Sequence, residues 1–495
     1  MSKVVTHRKR NAGSFWLSIA LLVGTTVLVY ARVSGFPFVE WDDPEYISRN
    51  PMVQSGFTFE GVRWALLSTE LANWFPLTGL SFMSETQLFG VNASVHHVTN
   101  LVLHCLNATL LFVILRRATG RCVASWFVAA LFALHPLHVE SVAWISERKG
   151  LLSTLFALLA IREYFGYAAS RHAWRYGLVV ILFGASLLSK PMLVTLPLLL
   201  FLLDVWPLRR IGLSARSSDD AGRPSRSRLL LEKVPLLLMS LVYSAVTFYA
   251  QDTAGATRGS DLITLPERLA NAVVATTWYL EKAVWPTDLC ALYTHPYLDG
   301  GTPWPAWVVA GSALFLVAVS CGVFMARRHP EFAVGWLWYL ISLLPVLGLV
   351  QVGIQPFADR YSYVPLIGIF VMIVFGLDEG LGRLARTRPW LPAAAVALGG
   401  LALLGFAVSA RQQVETWGSS SRLFGRMLEV SPTNSVAHFK LGNEYRDAGQ
   451  AEAAIERYQD AIRIHPGFVR ARRELGRLLR ERDRPTGSGE SAPSP

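Results

Sequence analysis

Residues 122–160 read CVASWFVAALFALHPLHVESVAWISERKGLLSTLFALLA. An apolar run from Cys122 to Leu134 stops at His135-Pro136-Leu137-His138-Val139-Glu140, and the charged triplet Glu147-Arg148-Lys149 precedes a second run at Leu151. Neither run alternates with period two, and neither carries the polar stripe of a helix that faces water. Both read as helices that are apolar all round, with titratable groups gathered in the segment between them. Working outward, stretches of bilayer length or nearly so recur at 14–33, 97–116, 121–138, 150–168, 174–190, 191–207, 234–250, 305–326, 332–350, 362–378 and 391–410. The chain of 495 residues is 52% hydrophobic and 16% charged, against roughly 25% charged in soluble domains, and its mean hydropathy is +0.36. A soluble enzyme, a disordered chain and a coiled coil are excluded. The expected fold is an all-α polytopic membrane protein with about eleven spans.

A net charge of +11 raises nucleic acid as a partner. The basic residues fall between apolar segments rather than along one face, as the positive-inside rule places them, so no nucleic acid is expected. The clusters Arg116/Arg117/Arg121, Arg162/Arg171/Arg175, Arg209/Arg210/Arg216/Arg223/Arg226/Arg228, Arg327/Arg328 and Arg383/Arg386/Arg388 occupy alternate loops. With those loops in the cytoplasm, the segments 34–96, 139–149, 251–304 and 351–361 and the end of the chain face outward. This requires that the mixed stretch 268–286 lie at the interface or re-enter rather than cross. The basic start (Lys3, Arg8, Lys9, Arg10) followed by an apolar run lacks a small-residue cleavage site after Tyr30, so it reads as a first transmembrane helix. Cys105, Cys122, Cys290 and Cys321 show neither zinc spacing nor a disulfide framework.

From Arg411 the composition changes. His438-x2-Leu441-Gly442-x2-Tyr445, then Ala454-x3-Tyr458, Ala461 and Pro466, follow the tetratricopeptide pattern. The pairs Pro432/Pro466, Ala437/Ala471, Leu441/Leu475 and Gly442/Gly476 are each 34 residues apart, so a further copy begins in register. The expected domains are a membrane domain over 1–410, repeats over 411–484, and a disordered Ser/Pro/Gly-rich end over 485–495.

Four outward-facing places carry polar groups that an anchor has no need of. Glu40-Trp41-Asp42-Asp43 pairs two carboxylates, suited to general-base work or to a divalent cation (Mg or Mn) on phosphate; an Asp-Asp-Pro turn is the plainer alternative. His135, His138 and Glu140 lack a convincing third metal ligand, and a polar helix cap explains them equally well. Lys190, in Ser189-Lys190-Pro191, either meets an anion or snorkels to headgroups. Asp359-Arg360-Tyr361 offers a guanidinium for phosphate oxygens beside an interfacial tyrosine, although an Asp–Arg pair is more often structural. Together, acids, a lysine and an arginine on one leaflet suit a reaction of a phosphorylated lipid.

These places also carry a resemblance. Trp41-Asp42-Asp43, Phe75-Pro76-Leu77-Thr78, His97-x-Thr99-Asn100-Leu101 with His104, the block His135 to Lys149, Ser189-Lys190-Pro191 and Asp359-Arg360-Tyr361-x-Tyr363 resemble the TMTC-type transmembrane O-mannosyltransferases with tetratricopeptide tails. That family belongs to the GT-C glycosyltransferases. The resemblance implies a GT-C-like bundle and inverting transfer of a mannose-like sugar from polyprenyl phosphate to an exterior hydroxyl of a protein or glycan. It implies that Asp42 or Asp43 is the base, with Lys190 and Arg360 on the departing phosphate. Glu140 with His135 or His138 would orient the sugar or a metal, and Glu147, Arg148, Lys149, Asp359 and Tyr361 would line the substrate site. The repeats would present the acceptor. Gly150 stands where an acidic residue is expected, and Phe75 where a cation is. The Ala/Arg-rich style points to a bacterial inner membrane with a periplasmic tail; in a eukaryote the layout would sit in the endoplasmic reticulum. Rival readings are a non-enzymatic repeat scaffold for envelope assembly and a lipid-linked-glycan ligase or polymerase; a transporter would want mid-bilayer charges and pseudo-symmetry that are not evident.

Overall fold

The computed structural model describes residues 2–69, 73–211, 224–255, 262–298, 300–326 and 328–483. Arg216, Arg223, Arg327 and the end segment 485–495 lie outside the described residues. Described residues with regular structure are all helical.

Helix α1 (Ser2–Tyr30) is followed by a loop that carries Asp42 and Asp43 and by α2 (Phe59–Leu67) and α3 (Pro76–Phe89). Next come α4 (Ala93–Thr119), α5 (Cys122–Leu134), the short α6 (Val139–Ala143), α7 (Arg148–Ser170), α8 (Ala173–Ser189) and α9 (Leu196–Val205). Helices α10 (Val234–Thr253), α11 (Leu265–Val284), α12 (Ala306–Met325), α13 (Pro330–Leu343), α14 (Pro365–Leu384) and α15 (Leu391–Glu415) complete the apolar part.

Among the described residues, seven segments are long and apolar enough to cross a membrane: Gly13–Gly35, Ala93–Thr119, Ile145–Ser170, Arg226–Thr253, Ala306–Met325, Pro365–Leu384 and Leu391–Glu415. The chain is an integral multi-pass membrane protein. Of the other expected spans, 121–138 is a helix pair bent by 54°, and three fall on shorter apolar helices, Ala173–Ser189, Pro191–Val205 and Pro330–Val346. Proline is the physical reason for the breaks: Pro136 and Pro191 each begin a new helical turn, and the residue before each is extended. Helix α12 buries none of its residues, and Leu398, Leu401 and Leu404 of α15 are exposed. In water such patches would drive association; here they face lipid. The stretch 268–286 falls in α11, which a capping box of Thr264 and Glu267 opens. Its Tyr279 hydroxyl donates to the Ala358 carbonyl at 3.0 Å and its Asn271 amide to that of Pro356 at 3.0 Å, so it braces the 356–361 segment.

At the end of the bundle away from Asp42, charge is buried but matched. Arg210 bonds Asp204 (2.9 Å) and Glu232 (2.8 Å), while Lys233 meets Asp204 and the Tyr164 hydroxyl. This joins α9 to α10 across the basic loop, and Arg210 is thus buried in an ion network rather than solvated with its neighbours. After α15 come α16 (Ser420–Val430), α17 (Ser435–Asp447), α18 (Ala451–Ile464) and α19 (Val469–Arg482). Gly442 of α17 lies against the Tyr458 ring of α18, where a Cβ would come within 2.7 Å of a ring carbon. A small residue is therefore required there for the two helices to approach.

Candidate functional site

Asp42, Lys149, Lys190, Arg360 and Tyr361, from four separate parts of the sequence, line one cavity of about 760 Å³. Each reaches it for a local reason. Lys190 follows the last residue of α8 in an extended conformation that Pro191 favours. Lys149 lies in the first turn of α7, and Arg360 in the 3₁₀ turn Asp359–Ser362 that precedes α14. The remaining wall is largely apolar, with Phe248 of α10 and Leu344, Val346 and Val350 after α13.

Asp42 and Asp43 part ways. Asp42 lines the cavity; Asp43 is buried and turned inward. One oxygen of Asp43 accepts from the Ser146 N–H (3.2 Å) and hydroxyl (2.6 Å), and the other from the Val39 N–H (3.1 Å). These bonds tie the Asp-Asp turn to the 145–147 turn before α7. Burial pushes the Asp43 carboxyl up to about 6 even against those bonds. Burial also raises Asp42, opposed by the charges of Lys149, Arg360 and Lys440. Both carboxyls thus stay protonated to a higher pH than ordinary aspartates. The hold of Asp43 on Ser146 and Val39 should therefore weaken as pH drops through about 6, and activity that needs Asp42 charged should be lost at a higher pH than for an ordinary aspartate; a pH–rate profile in lipid checks this acid limb, and a limb in the ordinary aspartate range would contradict it.

Carboxylates and cations beside the cavity are paired. Glu140 accepts from the Arg360 guanidinium at 2.6 Å and from its N–H at 2.7 Å. Glu147 accepts from the Lys190 ammonium and lies 4.0 Å from that of Lys149. Arg360 is raised by Glu140 although burial works against its charge. Arg360 and Lys149 stand 5.3 and 5.1 Å from the Trp144 ring. The wall itself carries three cations and one carboxylate, Asp42, among the described residues. That donor set fits an anion and does not fit a resident divalent cation. Among the described residues, the one grouping of three candidate metal ligands is His329, Glu331 and Glu379, at the opposite end of α13, and Arg383 bonds Glu379 there.

Other expected site residues lie elsewhere. The His135 ring donates to the Ala283 carbonyl (3.1 Å) and accepts from the Leu137 N–H (3.3 Å). That of His138 donates to Phe132 (2.7 Å) and packs on Tyr363. Both rings are buried and bonded to backbone carbonyls, and neither lines the cavity; nor does Glu140, which adjoins it through Arg360. Arg148 is turned away, bonded to Asn100 (2.9 Å), the His96 carbonyl (2.7 Å) and Glu85 (2.6 Å). Asp359 accepts from the Tyr293 hydroxyl at 2.7 Å behind the wall; burial and Glu140 hold its carboxyl well above the usual range. Tyr361, by contrast, is on the wall and accepts there from Gln355 at 2.8 Å. A Cβ at Gly150 would lie 2.5 Å from a Glu147 oxygen, so a larger residue there would require the Glu147 carboxylate to shift. The Phe75 ring, where a cation was expected, is 5.7 Å from the Lys149 ammonium. Sequence reasoning missed Tyr46, Trp144 and Gln355 on the wall; of these, Trp144 stood inside the block 135–149 and gave a signal.

No family model matches the chain. Among curated proteins, the mouse "Protein O-mannosyl-transferase TMTC1" is 26% identical over 93% of this chain and 59% of its own length. Its sequence relatives are protein O-mannosyl-transferases. The Caenorhabditis elegans "Protein O-mannosyl-transferase F38B6.6" is 26% identical over 91% of this chain and 63% of itself, and mouse TMTC4 is 27% identical over 90% and 66%. The chain therefore spans about three-fifths of the length of the curated relatives it matches first. Among solved structures, ArnT from Cupriavidus metallidurans bound to undecaprenyl phosphate matches 85% of this chain and 79% of its own, at 13% identity and a TM-score of 0.39.

Proposed function

We propose that this chain is a GT-C glycosyltransferase that moves a mannose-like sugar from a polyprenyl-phosphate donor to a hydroxyl on the exterior face of the membrane. The observation that carries the reading is the wall shared by Lys149, Lys190, Arg360 and Asp42. Three cations suit a phosphate, and a single carboxylate among them can accept a proton. Phosphate is already a good leaving group, so the protein's task is positioning and stabilising charge as it develops. In the proposed step the acceptor hydroxyl oxygen attacks the anomeric carbon while Asp42 takes its proton. The bond from that carbon to the phosphate oxygen breaks, and the anionic lipid phosphate departs against Arg360 and Lys190. The apolar wall from α10 and the turn after α13 takes the first prenyl units.

The tail is read as tetratricopeptide repeats, on the same side as the site, able to present an acceptor protein or glycan. The names of the curated relatives support the reaction class. The test is transfer by the full chain in lipid nanodiscs from radiolabelled polyprenyl-phosphate mannose to a mixed extract of envelope proteins and glycans. Label entering an acceptor, with none from a diphosphate-linked donor, is the expected result. No transfer from a panel of monophosphate donors would overturn the reading.

A further inference from the structure

Among the contacts of the tail with the membrane part, three groups are with supports of the cavity wall. The first is the turn before Asp42. The Lys440 ammonium of α17 donates to the Glu40 carbonyl at 2.8 Å and reaches that of Trp41 at 3.4 Å. The Ser420 hydroxyl at the start of α16 accepts from the Glu40 N–H at 2.9 Å, and buried Phe424 packs on the Trp41 ring. The second is Trp144, against which both Lys149 and Arg360 stand: Trp417 stacks on it at 5.9 Å, with ring planes 21° apart. The third is the segment 289–293, where Arg426 and Asn434 donate to the Leu289 and Leu292 carbonyls at 3.2 and 2.9 Å. Tyr293 of that segment holds Asp359, the neighbour of Arg360.

We propose that the tail is a working part of the site, and that Lys440 is a positioning residue that sets where the Asp42 carboxylate stands. The inference rests on the reading of Asp42 as the base. Lys440 makes no ion pair among the described residues; its ammonium is used on two backbone carbonyls. A lysine that served only solubility would stay in water and keep its rotamer freedom. Spending it on the peptide units directly before Asp42 removes freedom from the one segment whose placement the chemistry needs. Asp42 also feels its charge, together with Glu45 from its own turn, Lys149 from α7 and Arg360 from the 359–362 turn. Loss of Lys440 removes one of the cations that oppose burial, so the carboxyl ionises only at higher pH.

The experiment compares the full chain in nanodiscs with its Lys440→Met and Lys440→Arg variants by donor KM, kcat, the acid limb and backbone amide exchange over 38–46 without donor. Lys440→Met should lower kcat about tenfold or more, keep donor KM within about twofold, and move the acid limb to higher pH. Exchange over 38–46 should accelerate with the rest of the chain unchanged, and Lys440→Arg should restore kcat, the acid limb and the exchange rate. Wild-type values of kcat, acid limb and exchange in Lys440→Met would overturn the proposal. If that variant does not fold, Ser420→Ala decides by the same readouts: faster exchange confined to 38–46 supports the inference, and no change overturns it. If the wild type transfers nothing, the glycosyltransferase reading fails, and the exchange arm alone decides whether the tail holds the turn.

Discussion

Asp42→Asn is expected to lower kcat about 10³-fold, within the range general-base catalysis supplies, with donor KM and thermal midpoint close to wild type. The side chain lines the cavity, and no hydrogen bond from it supports the fold among the described residues. Asparagine keeps the volume and removes only the proton acceptor. Asp43→Asn should behave in the opposite way. Its carboxylate receives three bonds, from the Ser146 N–H and hydroxyl and the Val39 N–H. One asparagine oxygen can still accept from Ser146, but its NH₂ would then face the Val39 donor. A buried donor left without an acceptor costs roughly 1–3 kcal/mol. The thermal midpoint should therefore fall, with a smaller loss of rate from a loosened turn. Kinetics and thermal unfolding of both variants separate the two roles. A large rate loss from Asp43→Asn without a stability change, with Asp42→Asn nearly active, would exchange the assignment.

The contrast shows what the sequence could and could not carry. Adjacent carboxylates before a proline are legible as a pair; which one faces the cavity depends on Ser146, a hundred residues away. Long apolar stretches are legible because lipid leaves each helix to satisfy its own backbone. Prolines 136 and 191 shorten or bend the neighbouring helices, which blurs any count of spans. His135 and His138, at i and i+3, would share a face only on an unbroken helix. Pro136 makes a 3₁₀ turn between them, and each ring bonds a separate carbonyl. Consecutive residues on a helix point about 100° apart, so Arg148 faces Glu85 and Asn100 while Lys149 turns to the cavity, where Glu147 of the preceding turn comes within 4.0 Å of it. The apolar wall from α10 and the 344–352 segment carries no motif, since any lipid-like side chain serves there. Lys440 was hidden for another reason: its partners are carbonyls, which every residue has.

Arg360→Met should abolish transfer and destabilise the chain at once, and a compensating change can pull the two effects apart. The guanidinium is paired with buried Glu140, and the Arg360 N–H binds the other oxygen of the same carboxylate. Removing the cation leaves that carboxylate uncompensated, which costs about 3–5 kcal/mol for a buried pair. Glu140→Gln in the same chain removes the stranded charge, and its amide oxygen can still accept from the Arg360 position's N–H. The double variant should therefore recover most of the lost thermal midpoint. Its rate should stay at least about 10²-fold down, the scale of removing one preorganised charge from a transition state. Donor KM should rise in both variants, since the same guanidinium meets the phosphate before and after transfer. Glu140→Gln alone gives the opposite signature: Arg360, already exposed to the cavity, keeps water or phosphate as its partner, so stability should fall less than in Arg360→Met. Midpoint and rate measured on all three variants decide the matter. Recovery of the rate together with stability in the double variant would make the Arg360–Glu140 pair a structural clasp and would move the phosphate-binding role to Lys190 and Lys149.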